Sequence, residues 1–252
     1  MLYWNKDAFA EAGLDPETPP ANWDEMVEMG QALTKDDGSQ WGVMVPSTGY
    51  PYWMFQAFAL QNGIELMNEE GTETYFDDPA AVEALEYWVS LSAEHGIMPS
   101  GTVEWGTLRQ NFLEGQTAMM WHTTGNLTAV RNQAEFDFGV ALLPAKERYG
   151  SPTGGGNFYV FEDTSEAEQK AAMSPAAYET DALKSYVEEF PAAAVARDQL
   201  EHGAAELSTY EGGRVREALN NAVQSALTGS AEPADALAEA QATAERLLRM
   251  YR

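Results

Sequence analysis

The stretch Ser151-Pro-Thr-Gly-Gly-Gly-Asn-Phe-Tyr-Val-Phe161 places three consecutive glycines directly before a strand-like run of aromatic and β-branched residues. Glycine has no Cβ, so its backbone reaches positive φ and another group can approach it closely. Two interpretations fit: a flexible turn between two elements, or the edge of a strand whose backbone amides face a ligand. Taken alone, the stretch favours the turn, and the surrounding sequence has to decide between them.

The charge of the chain limits its partners. Its 252 residues include 40 acidic and 14 basic side chains, which gives a net charge of −26. Nucleic acids and anionic membrane surfaces are polyanions, so neither is expected as a partner. A charge of this size is typical of proteins from salt-loving microbes, because concentrated salt screens the repulsion between like charges.

Cysteine and apolar segments limit the class of protein further. The chain has no cysteine, which excludes disulfides and thiolate metal sites. No apolar run approaches the ~20 residues that a membrane-spanning helix needs. The opening residues Met1-Leu-Tyr-Trp-Asn-Lys6 have neither an apolar segment nor a cleavage site, so no signal peptide is expected in this chain.

Strand and helix patterns alternate along the chain. Helix caps are predicted at Asn22, which precedes Glu25 by three residues, and at Asp78-Pro79. The other predicted elements are strands at 2–5, 41–45, 117–122, 136–143 and after Gly156, and helices at 50–60, 107–113 and 165–172, after Gly213 and after Pro233. This order predicts an α/β protein with mixed sheets.

No motif of catalysis, metal binding or cofactor binding is present. The three histidines are far apart in sequence, and the chain lacks a nucleophile elbow, a dinucleotide-binding fingerprint and a P-loop. We therefore expect neither a cofactor nor a metal. His122 is followed by Thr123, Thr124 and Asn126, and this cluster is either a turn held by its own side chains or one wall of a polar ligand site.

Aromatic residues are the better candidates for a binding site. Trp and Tyr stack on the apolar faces of sugar rings while their N–H and O–H groups bond hydroxyls. The candidates are Tyr50, Tyr52, Trp53, Trp105 and Trp121. The alternative for each of them is an ordinary place in the core.

Arg216 is the most specific charged candidate. It lies in the first turn of a helix opened by Gly212-Gly213, where free backbone N–H groups favour an anion. A guanidinium there can hold a phosphate or a pair of hydroxyls. The alternative is a surface ion pair with Glu211 or Glu217, which would contribute little.

Several segments in order resemble one protein family. They are Leu2-Tyr-Trp-Asn-Lys-Asp-Ala-Phe-Ala-Glu-Ala-Gly-Leu-Asp15, Phe112-Leu-Glu-Gly-Gln-Thr-Ala-Met119, Phe138-Gly-Val-Ala-Leu-Leu-Pro144 and Gly154-Gly-Gly. Together they resemble the extracellular solute-binding proteins of ABC importers along nearly the whole chain. Within that family, the chain is most similar to the branch that binds glycerol 3-phosphate.

The resemblance implies a fold, a function and a site. The fold is a periplasmic-binding-protein-like α/β fold of type II, whose two lobes close around the ligand by a hinge motion. The function is capture of a sugar or glycerol phosphate ester outside the cell or in the periplasm, by a monomer that delivers it to the ABC permease. Thr123, Gly155 with its neighbours Gly156 and Asn157, and Arg216 would contact the ligand.

The chain also departs from the family pattern. It begins at the hinge strand, so most of the N-terminal lobe is expected to be missing, and a second loss is expected at 172–173. Residues 1–137 would be the first part of the C-terminal lobe, 138–180 a remnant of the N-terminal lobe, and 181–252 the helical end of the C-terminal lobe. Two alternatives remain open: an enzyme that acts on carbohydrates, and a non-functional fragment.

Overall fold

The computed structural model describes residues 1–154 and 181–252. In this part of the chain the strands are β1 (Leu2–Asn5), β2 (Trp41–Met44), β3 (Thr117–Trp121), β4 (Phe138–Ala141), β5 (Ser151–Thr153) and β6 (Gly203–Ala205). The α-helices are α1 (Lys6–Glu11), α2 (Trp23–Leu33), α3 (Pro51–Gln61), α4 (Pro79–Ala93), α5 (Trp105–Leu113), α6 (Leu127–Gln133), α7 (Asp181–Glu189), α8 (Ala192–Asp198), α9 (Gly212–Leu227) and α10 (Pro233–Leu248). The predicted α/β class is confirmed. The helix predicted at 165–172 and the strand predicted after Gly156 lie outside the described residues.

Strands β1 to β4 form one mixed sheet in the order β2-β3-β1-β4. β1 is antiparallel to both of its neighbours, with Leu2 opposite Trp121 on one side and opposite Ala141 on the other. β2 runs parallel to β3. Parallel neighbours need a long crossover, and here it contains α3, α4 and α5. All residues of β1 are buried, as expected for a strand covered on both faces.

Two helices begin at the predicted caps. Asn22 Oδ1 accepts a hydrogen bond from the Glu25 N–H at 2.9 Å, and the Glu25 carboxylate accepts one from the Ala21 N–H at 2.8 Å. Asp78 Oδ1 accepts from the Ala80 N–H at 2.8 Å, and a proline occupies the start of α4. These bonds satisfy N–H groups that have no partner inside the helix, which fixes where α2 and α4 begin.

A stack of aromatic rings lies in the core between the helices and the larger sheet. The Phe58 ring of α3 stacks on Trp121 of β3, with centroids 4.3 Å apart, and on Trp88 of α4, with centroids 5.1 Å apart. All three side chains are fully buried. Because such pairs contribute about 0.5–1.5 kcal/mol beyond their burial, the stack helps to hold α3 and α4 against the sheet.

The buried face of α4 differs from the one that its apolar spacing suggests. That spacing predicts Val82, Leu85 and Val89 as the face, but the two valines are only partly buried. The buried residues are Ala81, Ala84, Leu85, Trp88 and Leu91. The large indole of Trp88 takes the inward position, so the valines lie at its flanks.

Strands β5 and β6 form a second, parallel sheet of two strands. It packs against α3, where Gln56 Nε2 donates a hydrogen bond to the Ala205 carbonyl at 2.8 Å. This contact brings Gly154 at the end of β5 and Glu206 after β6 close to the first turn of α3. The small sheet therefore supplies one wall of the site described below.

The predicted division at residue 138 falls within the larger sheet. β4 pairs with β1 along its whole length, from Leu2 opposite Ala141 to Asn5 opposite Phe138. The assignment of 1–137, 138–180 and 181–252 to two lobes stays a prediction.

Candidate functional site

A cavity of about 820 Å³ opens between the start of α3, the turn after β3, the small sheet and α9. Seven of the candidate residues from the sequence line it: Tyr50, Tyr52, Trp53, Trp105, Thr123, Thr124 and Arg216. These residues come from distant parts of the chain. The fold therefore assembles a single polar and aromatic surface that no local motif contains.

Aromatic rings form one wall of this cavity. Tyr50 precedes α3 and contacts Trp105 edge to face with centroids 5.2 Å apart, and Trp53 lies 6.0 Å from Trp105. Tyr52 completes the wall. Tyr50 is 51% exposed, so its ring is free to contact a ligand. Four of the five aromatic candidates thus line the cavity.

Trp121 is the exception, and of its two interpretations the ordinary place in the core is the one that holds. Its side chain is fully buried and stacks on Phe58. Every residue of β3 is buried, so this strand shows no polar face toward the cavity. An aromatic residue inside a strand buried on both sides belongs to the core, whatever its type.

The polar cluster after β3 divides into a lining part and a supporting part. Thr123 and Thr124 line the cavity, whereas His122 and Asn126 are buried and do not line it. His122 Nδ1 accepts hydrogen bonds from the Thr123 N–H at 2.9 Å and from Asn126 Nδ2 at 2.8 Å. The turn is therefore held by its own side chains and presents two threonines to the cavity, and their contact with a ligand stays a prediction.

His122 is held as a neutral ring. Burial lowers the pKa of His122 to about 4, and this effect outweighs its contact with the Trp105 carbonyl, which acts in the opposite direction. Because a carbonyl only accepts, Nε2 carries the proton and donates to the Trp105 oxygen at 3.4 Å. The neutral ring thereby connects the turn after β3 to the first residue of α5.

Arg216 lines the cavity, but its surroundings differ from those predicted. Its Nε and Nη2 donate to the Leu207 carbonyl at 2.8 and 2.5 Å, and Nη2 lies 3.2 Å from Glu206 Oε1. The guanidinium also lies over the Tyr52 ring, 4.9 Å from its centroid. The alternative of an ion pair with Glu211 or Glu217 does not hold, because Arg216 pairs with Glu206 and Glu211 pairs with Arg214.

The amino-terminal glycines of α9 do not line the cavity. The expected anion site on free N–H groups at this helix start therefore has no counterpart in the cavity wall. Arg216 instead extends toward β6 and the loop after it, where the Leu207 carbonyl accepts its hydrogen bonds.

Glu206 connects the charged and aromatic parts of the wall. Its Oε1 accepts a hydrogen bond from the Tyr52 hydroxyl at 2.5 Å. Burial raises the pKa of Tyr52, and the hydrogen bond to Glu206 raises it further, to about 12. The phenol therefore stays protonated at neutral pH. Tyr52, Glu206 and Arg216 form one connected group, which we call the Tyr52–Glu206–Arg216 triad.

Gly154 lies where this triad meets the aromatic wall. A Cβ placed on Gly154 would lie 3.2 Å from both Trp53 Nε1 and Glu206 Oε2, so only glycine allows this close approach without displacement. The first glycine of the sequence stretch is therefore a cavity residue. Gly155, Gly156 and Asn157 lie outside the described residues.

Sequence reasoning did not identify several lining residues: Ser151, Pro152, Thr153, Ala196, Gln199, Leu200, Gly203 and Glu206. Glu206 had one available signal, since a partly buried arginine needs a carboxylate partner. With 40 acidic residues in the chain, that requirement does not select one. Strand β6 has only three residues, Gly203–Ala205, and such a short run carries little periodicity.

The described residues contain no group of three or more His, Cys, Asp or Glu side chains arranged to hold a metal ion. Among these residues there is also no helix with the length and apolar character needed to cross a bilayer.

Comparison with known proteins gives related chains over the whole length. The sn-glycerol-3-phosphate-binding periplasmic protein UgpB of Pectobacterium atrosepticum is 27% identical over 293 aligned positions, which cover 100% of this chain and 64% of the relative. The UgpB of Salmonella typhimurium is 26% identical over 293 aligned positions, which cover 100% of this chain and 65% of that relative. The chain thus spans about two thirds of the length of these relatives. Because the alignment has more positions than the chain has residues, the relatives carry internal segments without a counterpart here.

Solved structures share the fold. The cyclic α-maltosyl-1,6-maltose binding protein of Arthrobacter globiformis superimposes with a TM-score of 0.81 at 26% identity, over 99% of this chain and 70% of that one. UgpB of Mycobacterium tuberculosis, in complex with glycerophosphocholine, has a TM-score of 0.80 at 21% identity, over 99% of this chain and 69% of that one. The predicted type II periplasmic-binding-protein fold is confirmed.

The family model described as "bacterial extracellular solute-binding protein" matches residues 1–182, well over half of the chain. The chain therefore belongs to the family of bacterial extracellular solute-binding proteins.

Proposed function

We propose that this chain is the substrate-binding component of an ABC importer, which captures a sugar or a glycerol-phosphate-like solute without catalysis. The observation that carries the proposal is the cavity with its aromatic wall and adjoining polar triad. Its volume of about 820 Å³ lies within the roughly 300–1,000 Å³ typical of small-molecule sites.

The composition of the wall supports a polyhydroxylated ligand. Tyr50, Trp53 and Trp105 offer ring faces for the apolar side of a sugar or polyol. Thr123 and Thr124, which also line the cavity, offer hydroxyls. Relatives point to the same ligands, since their names and structures include sn-glycerol 3-phosphate, glycerophosphocholine and maltotriose.

The proposal extends to partners and location. Proteins of this family serve importers, so we propose that the chain works outside the cell or in the periplasm, as a monomer that delivers solute to permease subunits. The greater length of the relatives supports a further proposal: a second lobe closes over the cavity by a hinge motion.

The alternative of an enzyme acting on carbohydrates is less well supported. Hydrolysis of a glycosidic bond by the common mechanisms needs two carboxyl groups on opposite sides of the bond. Among the described lining residues, Glu206 is the only carboxylate, and it is already bonded to Tyr52 and Arg216. A family of binding proteins also favours capture over hydrolysis.

A thermal-shift experiment tests the proposed function. The chain is heated in 2 M KCl with a panel of ligands that includes maltose, maltotriose, ribitol, sn-glycerol 3-phosphate and glycerophosphocholine. A ligand present at about 100 times its Kd adds about 2.7 kcal/mol and should raise Tm by about 5–10 °C. Unchanged Tm with every member of the panel would refute capture by this chain.

The chain offers a matched pair of variants for this experiment. Tyr50 in the cavity wall and Tyr210 outside it are 51% and 52% exposed. Tyr50→Ala should remove most of the ligand-induced shift, whereas Tyr210→Ala should retain it. Equal shifts in the two variants would place the ligand elsewhere.

We also propose that the protein is adapted to concentrated salt. The support is its net charge of −26, whose repulsion is screened when the Debye length falls to about 3 Å in 1 M salt. Tm should rise between 0.1 and 2 M KCl. A Tm that stays constant or falls over this range would contradict the adaptation.

A further inference from the structure

The cavity has little net positive charge to offer an anion. Arg216 is the only arginine or lysine among its described lining residues, and Glu206 Oε1 lies 3.2 Å from Arg216 Nη2. The two charges largely cancel at this distance. A phosphate ester would meet a carboxylate as soon as it met the guanidinium, and the like charges would repel each other.

Protein atoms also occupy one of the two edges through which Arg216 could hold a phosphate. A guanidinium holds phosphate best through two parallel N–H groups on one edge. The edge formed by Nε and Nη2 already donates to the Leu207 carbonyl, at 2.8 and 2.5 Å. The position of the plane over the Tyr52 ring further fixes this orientation.

Unused acceptors in the wall require a ligand that donates hydrogen bonds. Gln199 Oε1 is buried and has no hydrogen-bond partner among the described residues. Glu206 Oε2 lies beside Gly154 and, unlike Oε1, accepts no hydrogen bond from the described residues. Ionised phosphate oxygens only accept, so they can bond neither atom, and the buried Gln199 Oε1 would stay without a partner, which is costly.

One unused donor lies next to these acceptors. Trp53 Nε1 is buried and, within residues 1–154 and 181–252, has no hydrogen-bond partner. Trp53 Nε1 and Glu206 Oε2 each lie 3.2 Å from the position that a Cβ on Gly154 would take, so this donor and this acceptor flank the same glycine. A hydroxyl group both donates and accepts, so the hydroxyls of a polyol can serve both the indole N–H and the carboxylate, whereas phosphate oxygens can serve only the N–H.

We infer that the cavity selects neutral polyhydroxylated ligands over phosphate esters, and that Glu206 is the residue that determines this specificity. The inference rests on the proposed capture of small solutes and assigns a ligand class to it. Glu206 acts in two ways: it neutralises Arg216, and it presents a carboxylate oxygen to hydroxyl donors.

Calorimetric titration of the full chain tests this inference. The probes are maltotriose and ribitol as neutral ligands, and sn-glycerol 3-phosphate and inorganic phosphate as anions. The wild type should bind at least one neutral probe at least tenfold more tightly than either anion. Glu206→Gln should lower the affinity for that neutral probe at least tenfold. It should raise the affinity for sn-glycerol 3-phosphate or inorganic phosphate at least tenfold.

Glu217→Gln is the matched control. Glu217 is exposed on α9, does not line the cavity, and its replacement changes the net charge equally. This variant should bind like the wild type. If it shifts the preference as Glu206→Gln does, total charge rather than Glu206 sets specificity, and the inference is wrong.

The outcomes separate the inference from the function on which it rests. Binding of sn-glycerol 3-phosphate by the wild type as tightly as any neutral probe overturns the inference and leaves capture intact. Binding of none of the probes overturns both. If Glu206→Gln does not fold, as judged by circular dichroism, the comparison of neutral and anionic probes in the wild type still decides the ligand class.

Discussion

Two groups of aromatic residues in this protein have similar composition and opposite surroundings. Phe58, Trp88 and Trp121 stack in the core and are fully buried. The rings that line the cavity contact each other mainly at their edges, and the Tyr50 ring is half exposed. The difference teaches that residue type does not determine the role of an aromatic ring here. What determines it is whether neighbouring elements cover both of its faces.

The largest expected effect is on the core group. Trp121→Ala removes a fully buried indole from the sheet and leaves a cavity against Phe58. The free energy of unfolding should fall by about 3–5 kcal/mol, measured by denaturant unfolding in 2 M KCl. A loss below about 1 kcal/mol would show that the stack does not hold the fold together.

Acid should destabilise the protein through the histidine that supports the cavity. The pKa of His122 is about 4 in the folded chain, against 6.5 ordinarily, because burial opposes its charge. The unfolded chain therefore binds a proton first as pH falls. Stability is unaffected above pH 6.5 and is lost between about pH 6.5 and 4, by up to about 3 kcal/mol.

The control for this pH dependence is His122→Asn. Asparagine keeps an acceptor for the Thr123 N–H and cannot titrate, so the difference between the two proteins isolates the histidine from the many carboxylates. Unfolding free energies measured between pH 7 and 4 should fall more steeply for the wild type. Parallel curves would show that His122 is not a buried neutral ring.

A smaller effect is expected from replacing two tryptophans, one in the cavity wall and one in the core. Nε1 of Trp53 in the cavity and Nε1 of Trp88 in the core both lack a hydrogen-bond partner among the described residues. Trp53→Phe should weaken binding of a neutral ligand by about two- to tenfold, since one hydrogen bond contributes about 0.5–1.5 kcal/mol. Trp88→Phe should leave affinity unchanged and lower stability. A loss of affinity in Trp88→Phe together with unchanged affinity in Trp53→Phe would contradict the division into core and wall.

The sequence predicted the elements that local chemistry controls. Asn22 and Asp78 cap their helices as expected, because a cap depends on a few adjacent residues. Tyr50, Trp53 and Thr123 were predicted site residues, and the fold brings them together. Whether each of them contacts a ligand stays a prediction.

The parts that sequence reasoning missed depend on contacts between distant segments. Glu206 pairs with Arg216 and bonds Tyr52, which is 154 positions away in sequence. Trp121 and Trp105 have the same side chain, and only the packing around β3 and α5 makes the first a core residue and the second a wall residue. Local patterns contain neither relation.

The most direct test of the central claim is a titration of tryptophan fluorescence with maltotriose and ribitol. Trp53 and Trp105 line the cavity, whereas Trp88 and Trp121 are buried away from it. The wild type should show a saturable change with at least one of the two ligands, and the Trp53→Phe, Trp105→Phe double variant should lose it. A wild type without a saturable change, or a double variant that keeps the full change, would contradict binding at this aromatic wall.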